Sequence, residues 1–208
     1  MRVAIGFKPR TGRAVMVVVG GEPAAPIFIE KGEIPLLPPG GFAPYHVAAE
    51  LPRSRRQASL DRDIATARGM AEQALRDAVR RCKSAGHEVA GCGVLVGNGL
   101  PQWTTEEIIA VHVRMHMAEG EMFRDVLVEG ARACKLGPIT LPDKSAFESA
   151  AKSLELKPAQ LEAKLAGLGR AAGPPWRKLE REAAAAALVA LAGALTRGSP
   201  AGTPPAPR

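Results

Sequence analysis

The sequence predicts an α/β fold: a mixed five-stranded sheet, its first three strands antiparallel, with helices on both faces. Three observations predict it. Two β-rich runs, VAIGF (3–7) and AVMVVVG (14–20), flank a short basic turn. Strand-like and helix-like patterns then alternate through the middle of the chain. A third extended run, IFIEKGEIPLL (27–37), follows the hairpin before any helical pattern begins. With 208 residues, 46% of them hydrophobic, the chain is long enough to bury one core, so a single domain over 1–196 is expected.

Taken in order, Pro9 and Gly12 mark the turn that joins the first two strands. The run 27–37 is a third strand, or a short pair bent at Lys31-Gly32. Residues 38–58 carry Pro38, Pro39, Pro44 and Pro52 with no periodicity, which predicts a long loop of the kind that forms lids and binding sites. Tyr45 and His46 lie inside it, and nothing in the sequence orients them. Ser59 then caps a helix, with Asp61 and Asp63 in its first turn, that runs to Ser84 and stops at Gly86. Ile64, Ala67, Ala71, Leu75 and Val79 form its apolar face. The run VAGCGVLV (89–96) has the near-continuous apolar character of a buried strand and leaves through Gly97-Asn98-Gly99.

Residues 104–136 read as one long helix with an apolar stripe of Ile108, Val111, Met115, Met122, Phe123 and Val126. Gly120 inside it costs about 1 kcal/mol relative to alanine, which suggests that another backbone approaches there. Glu107, Arg114, Glu121, Arg124 and Asp125 fall on the opposite, solvated side. A short strand at Ile139–Leu141, a helix over 146–155 capped by Asp143 or Ser145, and a second opened by Pro158 come next. Trp176, after Pro174-Pro175, reads as an apolar staple at the entry to a last helix, Lys178–Leu195. The tail 197–208 is rich in Pro, Gly and Ser and is expected to be disordered.

Composition narrows the function. A formal charge of +7 favours polyanionic partners, nucleic acid first among them, although free use of arginine in a GC-rich genome gives the same balance. Aromatic residues make up only 4%, too few for a base-stacking platform. Cys82, Cys92 and Cys134 form no paired pattern, which predicts buried thiols in a reducing cytoplasm. Lys8, Arg10 and Arg13 interrupt the amino-terminal apolar run, so a signal segment is not expected, nor is a membrane span.

The sharpest local signal is His112, His116 and Glu119. At about 100° per residue, positions i, i+4 and i+7 fall within or beside the apolar stripe, so two imidazoles and a carboxylate face the side on which the helix packs. Two histidines at i and i+4 can share one ion, and Glu119 would complete a His₂-carboxylate set for Zn²⁺ or Fe²⁺. The same placement also suits a polar network without metal, or histidines bonded only to the core. Glu182, with Glu180 two residues earlier on the last helix, would extend such a site if the helices are neighbours; both also suit the positive end of a helix dipole. Two groups of cations are candidate phosphate contacts: Lys8, Arg10 and Arg13 at the first turn, and Arg76, Arg80 and Arg81 on the second half of the long helix after Ser59. No nucleophile elbow, P-loop or dinucleotide fingerprint is present.

Several spellings together resemble the ribonuclease H-like superfamily, and within it the RuvC-type Holliday-junction resolvases. MRVAIGFKPRTGRAVMVVV corresponds to the first hairpin, GVLVGNG to the central strand, and MAEGEMF to the packed helix after it. GPITLPDKSAFESAAKSL corresponds to the last strand and EREAAAAALVALA to the final helix. The resemblance implies two Mg²⁺ ions held between carboxylates. It places the first acid near Gly6 or Phe7 and the second between Val96 and Asn98, where this sequence has none; only Glu180 and Glu182 stand where acids are expected. It therefore implies a nucleic-acid-binding protein with a degraded two-metal site. A metal-dependent hydrolase or nuclease using His112, His116, Glu119 and Glu182, and a non-catalytic assembly protein, are the alternatives.

Overall fold

In the computed structural model, residues 1–198 are described; 199–208 of the expected tail lie outside them. Strands β1 (Arg2–Arg10) and β2 (Arg13–Glu22) form the expected hairpin, with Gly12 at φ 72° in its turn. β3 (Ala25–Pro35) continues antiparallel along β2 as one strand; the irregularity lies in the β2–β3 pairing between Val18 and Val19 rather than in a break at Lys31-Gly32. β4 (Glu88–Val96) pairs parallel with β1, and β5 (Pro138–Pro142) parallel with β4, giving the order β3-β2-β1-β4-β5.

Alternation along each strand sorts side chains to two faces. Val3, Ile5, Phe7, Met16, Val18 and Val94 belong to one core, under α2 (Arg53–Ser84) and α4 (His112–Ala133). Ala4, Val15, Val17, Val19 and Leu95 belong to the other, under α7 (Lys178–Gly198), which α5 (Ala146–Ser153) and α6 (Pro158–Ala172) flank. α7 rides unusually close to the sheet. Gly6, Gly91 and Gly93 line its track, and a Cβ on Gly91 would come within 2.9 Å of the Ala190 carbonyl oxygen. Alanines on one side and glycines on the other allow backbone to meet backbone.

Three features differ from expectation. The stretch 38–58 is not continuous loop: α1 (Pro44–Ala49) and the first turns of α2 lie in it, and Ser59 is buried inside α2 rather than capping it. Pro44 and Pro52 sit at helix starts, where a missing N–H is harmless. Residues 104–136 form two helices, α3 (Thr105–Ile109) and α4, because Val111 is extended (φ −135°, ψ 112°). Thr104 and Glu107 make a reciprocal capping box at the start of α3. Finally, the helix–helix approach on α4 is at Gly130, where a Cβ would lie 3.1 Å from Leu75 and 3.3 Å from the Glu72 nitrogen; over Gly120 lies only the Arg124 guanidinium.

The cysteines are free, as expected. Burial pushes the Cys92 thiol up to about 12, and Cys134 is only partly covered. In folded protein at mildly alkaline pH, Cys134 is therefore expected to be alkylated well before Cys92, as mass spectrometry of partly labelled protein would show. No helix among the described residues is long and apolar enough to cross a membrane.

Candidate functional site

Because β1, β4 and β5 run parallel, their carboxyl ends meet along one edge, where open α/β sheets place ligand crevices. Lys8 lies near the end of β1 on the α7 side and is only 6% exposed. Asp143 follows directly on β5, Glu182 reaches in from α7, and Arg124 comes from α4. The Lys8 ammonium bonds Asp143 and lies 3.0 Å from Glu182 Oε2. Arg124 Nη2 is 3.2 Å from Asp143 Oδ2, and its Nη1 is 3.3 Å from Glu121 Oε2. Lys178 Nζ approaches Glu182 Oε1 at 3.6 Å from outside. Three cations thus face three carboxylates. Burial pushes the Asp143 carboxyl up, but the hydrogen bond and charge of Lys8, with Arg124 behind them, outweigh it and hold Asp143 below its ordinary value. A cleft of about 400 Å³ opens over Lys8, Asp143, Ser145, Lys178 and Glu182.

The cations expected to act together are divided by the fold. Lys8 is not a solvated turn residue; it is engaged by two acids inside the cleft. Arg10 and Arg13 flank the turn beside it, Arg10 without an acidic partner among the described residues and Arg13 paired with Glu33 at 3.3 Å. Arg76, Arg80 and Arg81 pair with Glu72, Asp77 and Glu30. They lie on the last turns of α2, which leads into Glu88 in register with Arg2, so they stand away from the turn that follows Arg10. Arg124 and Asp143, expected as a solvated charge and a cap, are parts of the cleft.

The histidines lie elsewhere, and Glu182 does not join them: it sits on the α7 face of the sheet, whereas they belong to α4 on the other. His112 and His116 are exposed rather than turned into the core; only Glu119 points inward, with no exposure at all. Its partner is His46, brought over by α1. His46 Nδ1 lies 2.8 Å from Glu119 Oε1, and the His46 backbone N–H donates to the same oxygen at 3.3 Å. Glu119 Oε2 has no hydrogen-bond partner, and His116 Nδ1 is 3.9 Å from it. The three imidazoles stack into one cluster, with ring centroids 4.5–5.2 Å apart. Their ligand nitrogens lie within 4.8 Å of one another. The ligand-like set is therefore His46, His112 and His116, with Glu119 behind it. Tyr45, half-buried beside Glu119, has its phenol pushed up by burial and by that carboxylate. Glu180 caps the start of α7 by accepting from the Arg177 N–H at 2.9 Å.

Solved structures similar to this one include two of RuvC. Thermus thermophilus RuvC in complex with Holliday junction substrate superposes with a TM-score of 0.52 at 11% identity, over 90% of this chain and 91% of that one. A second Thermus thermophilus RuvC structure gives 0.50 at 13% identity, over 94% and 95%. The chain has the ribonuclease H-like fold of RuvC. No protein-family model and no curated protein sequence matches it significantly.

The two Mg²⁺ ions implied by that resemblance do not fit the residues present. A side chain at Gly6 would run into the backbone of Ala183 and lie 2.5 Å from the Ala187 nitrogen. Asn98, beyond β4, is neutral. Between the acids that remain, Asp143 and Glu182, stands the Lys8 ammonium, a cation already in place. Divalent ions of this kind need anionic oxygens, and here those are committed to a lysine and an arginine.

Proposed function

We propose that the protein binds nucleic acid across the carboxyl edge of its parallel strands and does not cleave it there with two metal ions. The observation that carries this reading is Lys8: a buried ammonium hydrogen-bonded to Asp143 and ion-paired with Glu182 neutralises the charge that would otherwise repel phosphate and attract Mg²⁺. Arg10 and Arg13 at the first turn, with Lys144 on the cleft's rim, offer cations to a sugar–phosphate backbone that passes over it. The balanced charge within the cleft leaves these outer residues, and the net +7 of the chain, to supply the attraction.

Fluorescence anisotropy with duplex and four-way-junction DNA tests the reading. Binding should weaken linearly in log–log form as salt rises, and Arg10→Ala or Arg13→Ala should each reduce that slope by about one. No binding at low salt to any DNA or RNA probe would overturn it. Incubation with Mg²⁺ should leave the probes intact; strand cleavage abolished by Glu182→Gln would refute the second half of the proposal.

A further inference from the structure

The geometry points to a metal site that is separate from the cleft: His46, His112 and His116 together bind one divalent transition-metal ion, zinc in particular, with Glu119 orienting two of the three imidazoles. It does not rest on the nucleic-acid reading. His112 and His116 stand one turn apart on the same side of α4, the spacing at which two imidazoles share an ion. His46 supplies the third ligand from a different element. Metal-bound histidines usually give their second ring nitrogen to a carboxylate, which fixes the ring and strengthens the ligand. That contact is already made: with Nδ1 held by Glu119 Oε1 at 2.8 Å, His46 is left with Nε2 for the ion. The other oxygen of Glu119 is buried and unpartnered, and it faces His116 Nδ1 at 3.9 Å. Closing that gap to hydrogen-bond distance would satisfy the oxygen and leave Nε2 of His116 for the ion.

Zinc–nitrogen bonds of about 2.0–2.1 Å require tetrahedral ligands roughly 3.3 Å apart. The histidine nitrogens, mutually within 4.8 Å, have only to draw together by side-chain torsion. Imidazole suits zinc and its neighbours in the transition series, not Mg²⁺ or Ca²⁺. Three histidines leave a fourth position, and since His112 and His116 are exposed it opens to solvent, where water or an anionic oxygen can enter. The ion ties α1 to the amino end of α4. A carboxylate with no exposure, one oxygen bonded and one bare, is otherwise an unexplained expense in this part of the fold.

The experiment is calorimetric titration of ZnCl₂ into the untagged full chain after chelator treatment, with metal analysis of the product and the visible spectrum of a Co²⁺ titration. One ion per chain, with the spectrum of a four-coordinate cobalt centre, is expected. His112→Ala and His116→Ala change exposed residues and should fold normally by circular dichroism while losing stoichiometric binding. His46→Gln, chosen because glutamine can still donate to Glu119, should lose it too. Glu119→Gln should weaken binding about 10–100-fold without changing the stoichiometry. His87→Ala, at the remaining histidine, should change nothing. Wild-type protein that takes up no zinc, or stoichiometric binding that survives in folded His46→Gln or His112→Ala, would overturn the site.

Discussion

Gly6→Ala is expected to destabilise the protein by about 3 kcal/mol, the upper part of the range for an overpacked core. The added methyl has nowhere to go. It would overlap the Ala183 carbonyl oxygen and lie 2.5 Å from the Ala187 nitrogen and 2.9 Å from the Ala187 methyl. Most overpacked sites relax by rotating a neighbouring side chain, but here the obstruction is the backbone of a helix whose alanines are already the smallest side chains that keep it helical. Relief requires α7 to lift from the sheet, which would also loosen its contacts with Gly91 and Gly93. Gly120→Ala is the matched control, because a Cβ there meets only the mobile end of Arg124, at 3.3 Å. It removes a helix-interior glycine and should raise stability by up to about 1 kcal/mol. Urea unfolding of both variants, with unchanged m-values, separates the two cases. Equal destabilisation by both would mean that α7 does not sit as closely as described.

The contrast shows what the sequence made legible. Strand and helix periods are local, so the five strands, their order of appearance and the longer helical segments could be read from neighbours a few residues apart. The cleft could not. Its central contact joins residues 135 positions apart, Lys8 and Asp143, and no periodicity marks either one. Arg124 illustrates the limit: it lies opposite the apolar stripe of its own helix and so reads as solvated, yet the end of β5 comes up beside that side of α4. The histidines fail for the complementary reason. They lie beside the stripe in angle, but the stripe is buried only where something covers it. His112 lies twelve residues before Arg124, about 18 Å along the helix axis, so the amino end of α4 runs out beyond the sheet. There Met115 and Ala118 pack instead in a small cluster with Tyr45, Leu100 and Trp103. The exposed imidazoles stand at its border. His46 carries no sequence signal at all; it is placed by a helix of six residues within a stretch that reads as loop.

Lys8→Met is expected to cost about 3–5 kcal/mol, the usual penalty for removing one partner of a buried ion pair. Methionine matches the volume of the aliphatic stem, so lost packing contributes little. What remains is Glu182, 3% exposed, facing Asp143 with no cation between them and only the solvent-side Lys178 nearby. Arg124 still holds Asp143 from the other side, so the deficit falls chiefly on Glu182. Two measurements distinguish uncompensated charge from a mere loss of contact. Adding Glu182→Leu to Lys8→Met should recover most of the stability, since apolar replacement of a whole buried pair is often neutral or better, whereas Glu182→Leu alone strands Lys8 with Asp143 and recovers nothing. The second measurement is the dependence on pH. Asp143 ionises below its ordinary value in the folded wild type, so its contribution to stability is present above the unfolded pKa, about 3.9, and is lost as pH falls through the folded one. Without Lys8 that depression shrinks, and the difference between variant and wild type should be largest near neutrality and narrow below about pH 4. A gap that persists unchanged into acid would place the effect in packing, and the cleft's ammonium would no longer account for the stability of its two acids.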